Sequence, residues 1–195
     1  MPPTPRVRTG RPRDADLTQR LLDGAVELVA ERGYSRLNPE VLAARTGAGK
    51  AAIYRRWRTM PALLTDALDG VRLVRTPPDT GSLRGDLAAL LHPFTRSPDV
   101  LEQAVASVLG LAHHSPELRA SLDRALVAPL REAVAAVCER EAGRGRPVAP
   151  AQRHLMHRVL QALWWERCGA LVPPMPAPEV LALVDRVLLP LVAVR

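Results

Sequence analysis

At 195 residues the chain is long enough to bury a sizeable core as one or two domains. Its hydrophobic fraction of 47% includes one Phe, two Tyr and three Trp, which points to a helical core of Leu, Val and Ala and leaves out the β-branched and aromatic runs of strands. The net charge of +7 sits at one end, with 12 basic against 6 acidic side chains in residues 1–60 and 15 against 14 in the rest, the footprint of a nucleic-acid module joined to a body with another task.

In chain order, residues 1–13, MPPTPRVRTGRPR, scatter Arg6, Arg8, Arg11 and Arg13 among prolines and cannot build a packed element. They read as a disordered basic arm. Its GRPR end either slips Arg11 and Arg13 into a narrow minor groove, as the hooks of architectural proteins do, or is a solvated tail. A helix is expected from Asp16 to Arg32, with Leu17, Leu21, Ala25, Leu28 and Val29 on one face and Gly33 stopping it. Asn38 is a good N-cap with Pro39 at the first helical position, so a short helix runs from Pro39 to Arg45 with Val41, Leu42 and Ala44 inward. Gly47 closes it in the left-handed conformation, and Gly49 lets a second helix, Lys50 to Arg56, begin at once. Two short helices across a Gly-containing turn form a helix-turn-helix, which lays its second helix in a DNA major groove.

On that second helix Ile53 and Trp57 share an anchoring face, while Lys50, Ala51, Tyr54 and Arg55 project elsewhere. Small residues at Ala51 and Ala52 let the backbone approach base edges, Lys50 suits guanine, and Tyr54, Arg55 and Arg56 suit phosphates. Arg58 adds charge beside them, and Asn38 opens the preceding helix on the same side.

These residues resemble a known family. Leu21-Leu22, then Glu31-Arg32-Gly33-Tyr34, then VLAARTGAGKAAIYRRW and Leu63-Leu64 look like the DNA-binding domain of the TetR family of bacterial transcriptional repressors. The match spans about the first third of the chain. The resemblance implies a homodimer that blocks transcription until a small molecule enters the C-terminal domain. It further implies that Lys50, Ala51, Tyr54 and Arg55 face bases, with Tyr54 and Arg56 at the backbone. Ala52 and Met60 replace the family's usual phosphate-contacting Ser or Thr and Lys, so affinity leans on Arg55, Arg56, Arg58 and the arm. Gly49 stands where the family often has a capping Ser.

Thr59 caps a fourth helix with Pro61 in its first turn, and Leu63, Leu64, Ala67, Leu68 and Val71 face the core. Pro77, Pro78, Asp79 and Gly81 mark a hinge. Helical segments follow over 82–91, 98–113, 116–141, 150–171 and 178–194, each starting beside a proline or capping residue, with a kink at Pro129. From Val180 to Val194 only Asp185 and Arg186 are charged. Both faces of that helix need cover, either a partner's copy in a two-fold four-helix interface or the subunit alone. Trp165, Leu181, Val184, Leu188 and Leu191 are the candidate dimer residues. The stretch LQALWWERCGALV with LVAPLRE at 126–132 resembles, more loosely, the ligand-binding domain of one TetR subfamily.

Other chemistry is weakly supported. GAGKAA at 47–52 fails as a phosphate-binding loop, because Ala44 takes the first glycine position and Ala51 replaces Ser or Thr. His113-His114, or His154 and His157 with Cys138 or Cys168, fall short of four converging metal ligands. Neither cysteine sits in a CxxC pair, and reduced thiols are expected. No nucleophile elbow or metal-binding Glu helix suggests catalysis, no cofactor is implied, and no apolar run of membrane-spanning length occurs. For an effector pocket the candidates are Phe94, Leu109, His113, Met156, Leu160 and Trp164, each equally compatible with ordinary core packing.

The expectation is an all-α fold: arm 1–13, helix-turn-helix domain 14–58 and a helical effector-binding and dimerisation domain 59–195. It is a cytoplasmic homodimer binding a double-stranded palindromic operator and released by a small hydrophobic effector, with no membrane partner. A sequence-tolerant architectural DNA binder and a metal- or thiol-responsive sensor are the alternatives.

Overall fold

The computed structural model describes residues 12–169 and 173–193, and among them all regular structure is helical. Helix α1 spans Pro12–Arg32, starting four residues before Asp16, so the backbone of Arg13 is helical rather than part of the arm. Arg6, Arg8 and Arg11 lie outside the described residues. A single 3-10 turn, Tyr34–Arg36, leads to α2 (Pro39–Thr46) and α3 (Lys50–Tyr54).

Local chemistry sets these boundaries. Asn38 Oδ1 accepts from the amide of Val41 at 2.9 Å, Gly47 takes φ 67° at the end of α2, and α3 tightens after Tyr54, where Arg56 N–H donates to Ile53 rather than Ala52. Helix α4 (Met60–Asp69) opens under the Thr59 cap. Leu21, Leu28, Leu42, Ile53, Leu63 and Leu64 pack with no more than 1% exposure in this first core. Ala44 does not join them: it is exposed, and Leu42 is the buried residue of α2, because an eight-residue helix lying across α1 buries only one narrow stripe.

The second core is built from α5 (Leu83–Leu91), α6 (Val100–Val108), α7 (Pro116–Leu122), α8 (Ala128–Gly143), α9 (Pro150–Gly169), α10 (Ala177–Leu183) and α11 (Leu189–Ala193). Wide π turns at 123–127 and 184–188 join α7 to α8 and α10 to α11 as two continuous rods. Each wide turn lies just ahead of a proline, Pro129 or Pro190, whose missing N–H and bulky ring disrupt the ordinary ladder. The expected kink at Pro129 thus takes the form of a π turn.

Two seams join the cores. Helix α1 runs along α6, where Ser107 Oγ donates to the carbonyl of Val29 at 3.1 Å, and α4 packs on α7. The Pro-rich loop is pinned: buried Asp86 accepts from the Thr80 amide at 2.6 Å and hydroxyl at 2.8 Å, and Arg140 donates to the carbonyl of Pro78. Segment 70–76, between α4 and that anchor, carries the connection.

Candidate nucleic-acid interface and effector cavities

Helix α3 is held by its inner side. Ile53 is fully buried, Trp57 is 5% exposed, and the Trp57 indole donates to Asp66 Oδ2 at 2.6 Å, tying the end of α3 to α4. Ala52 is buried, while Lys50, Ala51, Tyr54, Arg55 and Arg58 face outward, with Tyr54 55% exposed. A large aromatic in water on a surface otherwise basic is the feature that base stacking or phosphate contact would use.

Neighbouring side chains shape this face. Lys50 Nζ donates to Glu40 Oε1 at 2.9 Å; the ammonium holds the Glu40 carboxyl below its usual range, and the carboxylate raises Lys50 in turn. Arg45 forks onto Glu31 at 2.5 and 2.7 Å and reaches Glu27, bracing α2 on α1. Arg56 donates to Thr18 Oγ1 and to the carbonyl of Ala52, each at 2.9 Å, so its guanidinium helps fix α3 to α1. Half-buried Asn38 spends its side-chain oxygen on its own cap.

Sequence patterning missed two features here. Glu40 lies ten positions before Lys50, beyond any helical spacing rule, and Gly24 is where α1 and α2 meet: a Cβ there would stand 2.7 Å from Thr46 Cγ2.

The six candidate effector residues do not converge on one cavity. Met156 and Leu160 are fully buried in the core and line none of the main cavities. Phe94 and Trp164 form an edge-to-face pair at 5.3 Å and 81°; Phe94 packs under the Arg167 guanidinium, 5.2 Å from its centroid, and Trp164 walls a cavity of about 390 Å³ beneath segment 72–78. Leu109 and His113 line a separate cleft of about 540 Å³ with Val127 and with Trp165, an interface candidate that is half-buried.

The dimer candidates also divide. Val184 and Leu188 are fully buried inside the subunit and cannot meet a partner, Leu191 is half-buried, and Leu181 is 36% exposed. Among the described residues, the exposed large apolar side chains of these last helices are Leu155 on α9 with Leu181 and Val187 on the last rod. A helix apolar all round gives no phase, so the sequence could not say which stripe faces out.

The sensor chemistries find little support. Burial pushes the Cys168 thiol up to about 12 and raises Cys138, suppressing the thiolate that oxidation requires. Among the described residues no three His, Cys, Asp or Glu side chains cluster as metal ligands, and His157 is buried on α9, hydrogen-bonded to the backbone of Val127, with its proton affinity lowered by that burial. No helix among the described residues is long and apolar enough to cross a membrane.

Known proteins agree with this architecture. Residues 21–67 match the profile of bacterial regulatory proteins of the tetR family, and residues 77–187 match that of the tetracyclin repressor-like C-terminal domain. An uncharacterised HTH-type transcriptional regulator of Mycobacterium tuberculosis is 31% identical over 87% of this chain and 85% of its own. A DNA-binding transcriptional repressor TetR of Mycobacteroides abscessus is 31% identical over 88% of this chain and 92% of its own. Among solved structures, Salmonella enterica GusR superposes with a TM-score of 0.71 at 15% identity, covering 96% of this chain and all (100%) of that one. The multidrug binding protein EbrR, solved with ethidium, superposes with a TM-score of 0.63 at 18% identity over 91% and 99%.

Proposed function

The chain belongs to the TetR family of DNA-binding transcriptional regulators, and from that premise we propose that it is a cytoplasmic repressor, binding a palindromic operator as a homodimer and leaving it when a small molecule occupies the C-terminal domain. One observation carries the reading: α3 is anchored by Ile53 and Trp57 and turns Lys50, Ala51, Tyr54 and Arg55 outward together. A side-chain set that is rigid from behind and basic in front meets base edges and phosphates without paying to order itself first.

A single α3 reads only a few base pairs, so a two-fold pair with recognition helices about 34–36 Å apart gives the usable specificity. The apolar side chains of Leu155, Leu181 and Val187, outward on α9 and the last rod, support a second copy as the cover for that face. Ligand control is supported by cavities within the drug-sized range in the C-terminal domain and by EbrR, of the same fold, having been solved with ethidium. The effector acts by binding the DNA-released arrangement better, and the shift is limited to its differential affinity for the two arrangements.

Selection of bound duplexes from a random pool at near-physiological salt tests this. A palindrome enriched by the wild type and lost with Tyr54→Ala is the expected result. Binding without enrichment that falls steeply with salt would instead make the protein a sequence-tolerant architectural binder.

A further inference from the structure

The cavity beneath residues 72–78 combines three features. Leu73, Val74, Leu90, Pro93 and Leu101 give it an apolar wall. Trp164, at the wall as well, is 1% exposed, with its indole nitrogen closed off from the open space. Three arginines, Arg72, Arg75 and Arg96, line the same space.

The charges are not equally committed. Arg96 is engaged by Asp99 and Glu102, and Glu102 is also paired with buried Arg167 at 2.9 Å. Those two carboxylates are therefore already answered. Arg72 donates to the backbone carbonyls of Asp69 and Val71 and pairs with no carboxylate. Arg75 is exposed and makes neither an ion pair nor a hydrogen bond among the described residues. The same two arginines wall an adjoining groove that contains Asp23 and Glu27; Glu27 is paired with Arg45, and Asp23 accepts from the Gln19 amide without an ion pair to either arginine.

Two positive charges without a carboxylate partner, set beside an apolar wall, describe a complementary ligand. We propose that this cavity binds an organic anion: an apolar body with a carboxylate or phosphate head set against Arg72 and Arg75. The site touches segment 70–76 directly, so its occupant bears on the connection between α4 and the C-terminal core. This deepens the reading of the C-terminal domain as effector-binding and rests on it.

Matched decyl probes separate charge from apolarity. Calorimetry on the full chain without DNA should show saturable binding of decanoate and at least tenfold weaker binding of decyltrimethylammonium. Arg75→Glu, at an exposed position, should keep the wild-type melting temperature and lose at least tenfold in decanoate affinity. Equal binding of anion and cation, or decanoate affinity unchanged by Arg75→Glu, overturns the site. Phosphate-headed and carboxylate-headed decyl probes, compared in the wild type, assign the headgroup. Absence of decanoate binding in a protein that still selects a palindrome refutes this site alone; decanoate binding in a protein that selects none counts against the regulatory reading and leaves the site standing.

Discussion

The amide of Leu73 donates to the carbonyl of Ala125 at 2.9 Å, and that carbonyl is the one whose ordinary helical partner, four residues on, is Pro129. Because proline has no N–H, the wide turn at 123–127 leaves an acceptor for the segment that follows α4. Beside it Arg124 Nε reaches Asp69 Oδ1 at 2.7 Å, at the C-terminal end of α4. The helix break in the C-terminal core is thus bonded to the connection leading to the DNA-binding helices.

Pro129→Ala restores an N–H that competes for the Ala125 carbonyl. Hydrogen exchange over residues 70–76 should quicken by about tenfold or more as Leu73 loses its acceptor, with the rest of α8 unchanged or slower. Unchanged protection at Leu73 would show that the contact holds nothing.

Glu102 concentrates several duties. It completes the capping box at the start of α6, accepts from Arg167 at 2.9 Å, and pairs with Arg96, while being 2% exposed. Arg167→Met leaves that carboxylate short of its buried partner and should cost about 3–5 kcal/mol in urea unfolding. Adding Glu102→Gln should return a large part of the loss, since the uncompensated charge is then gone. A single-variant loss below about 1 kcal/mol would place the pair among ion pairs of surface strength.

Gly24 tests the seating of the helix-turn-helix on α1. Gly24→Ala forces its methyl onto Thr46 Cγ2 and should destabilise by about 1–3 kcal/mol, as overpacking does. Thr46→Ser removes the obstructing methyl and keeps the hydroxyl, which donates to the carbonyl of Leu42 at 2.8 Å. The double variant should therefore recover most of the stability, a coupling that a double-mutant cycle measures directly. Additive losses would mean that the helices move apart on their own.

Glu40 places a negative charge on the DNA-facing surface and occupies Lys50. Glu40→Gln should tighten binding to the selected duplex by about threefold or more, and steepen its salt dependence by up to about one unit as Lys50 takes a phosphate. Weaker binding would instead show that the Glu40 carboxylate accepts from a cytosine amino group. Fluorescence anisotropy at several salt concentrations distinguishes the two.

Much of the first domain was legible because its signals are local. Asn38, Gly47 and Thr59 act on groups within four residues, so cap and stop chemistry read from sequence agrees closely with α2 and α4. Starts of the later helices were legible for the same reason, since Pro116 and Pro150 each stand at one, while the segment expected from Pro98 begins at Val100. What stayed hidden depends on distance along the chain. Glu102 and Arg167 are 65 residues apart, and the cavity beneath 72–78 assembles from the connection, α5, the approach to α6, and α9. Val184, Leu188, Met156 and Leu160 were hard to place for another reason: their helices are apolar on more than one face, and only packing against α5 and α8 decides which face is core. Pro129 announced a break, but not that Leu73 would supply the donor for the Ala125 carbonyl.

Binding of the selected palindrome, with one half-site intact or scrambled and with the mass of the complex determined in the same titration, tests the dimeric reading by α3 most directly. Two chains per duplex are expected, with scrambling of one half-site costing at least about tenfold in affinity and Tyr54→Ala weakening both half-sites alike. One chain per duplex, or equal affinity for intact and scrambled sites, would contradict it.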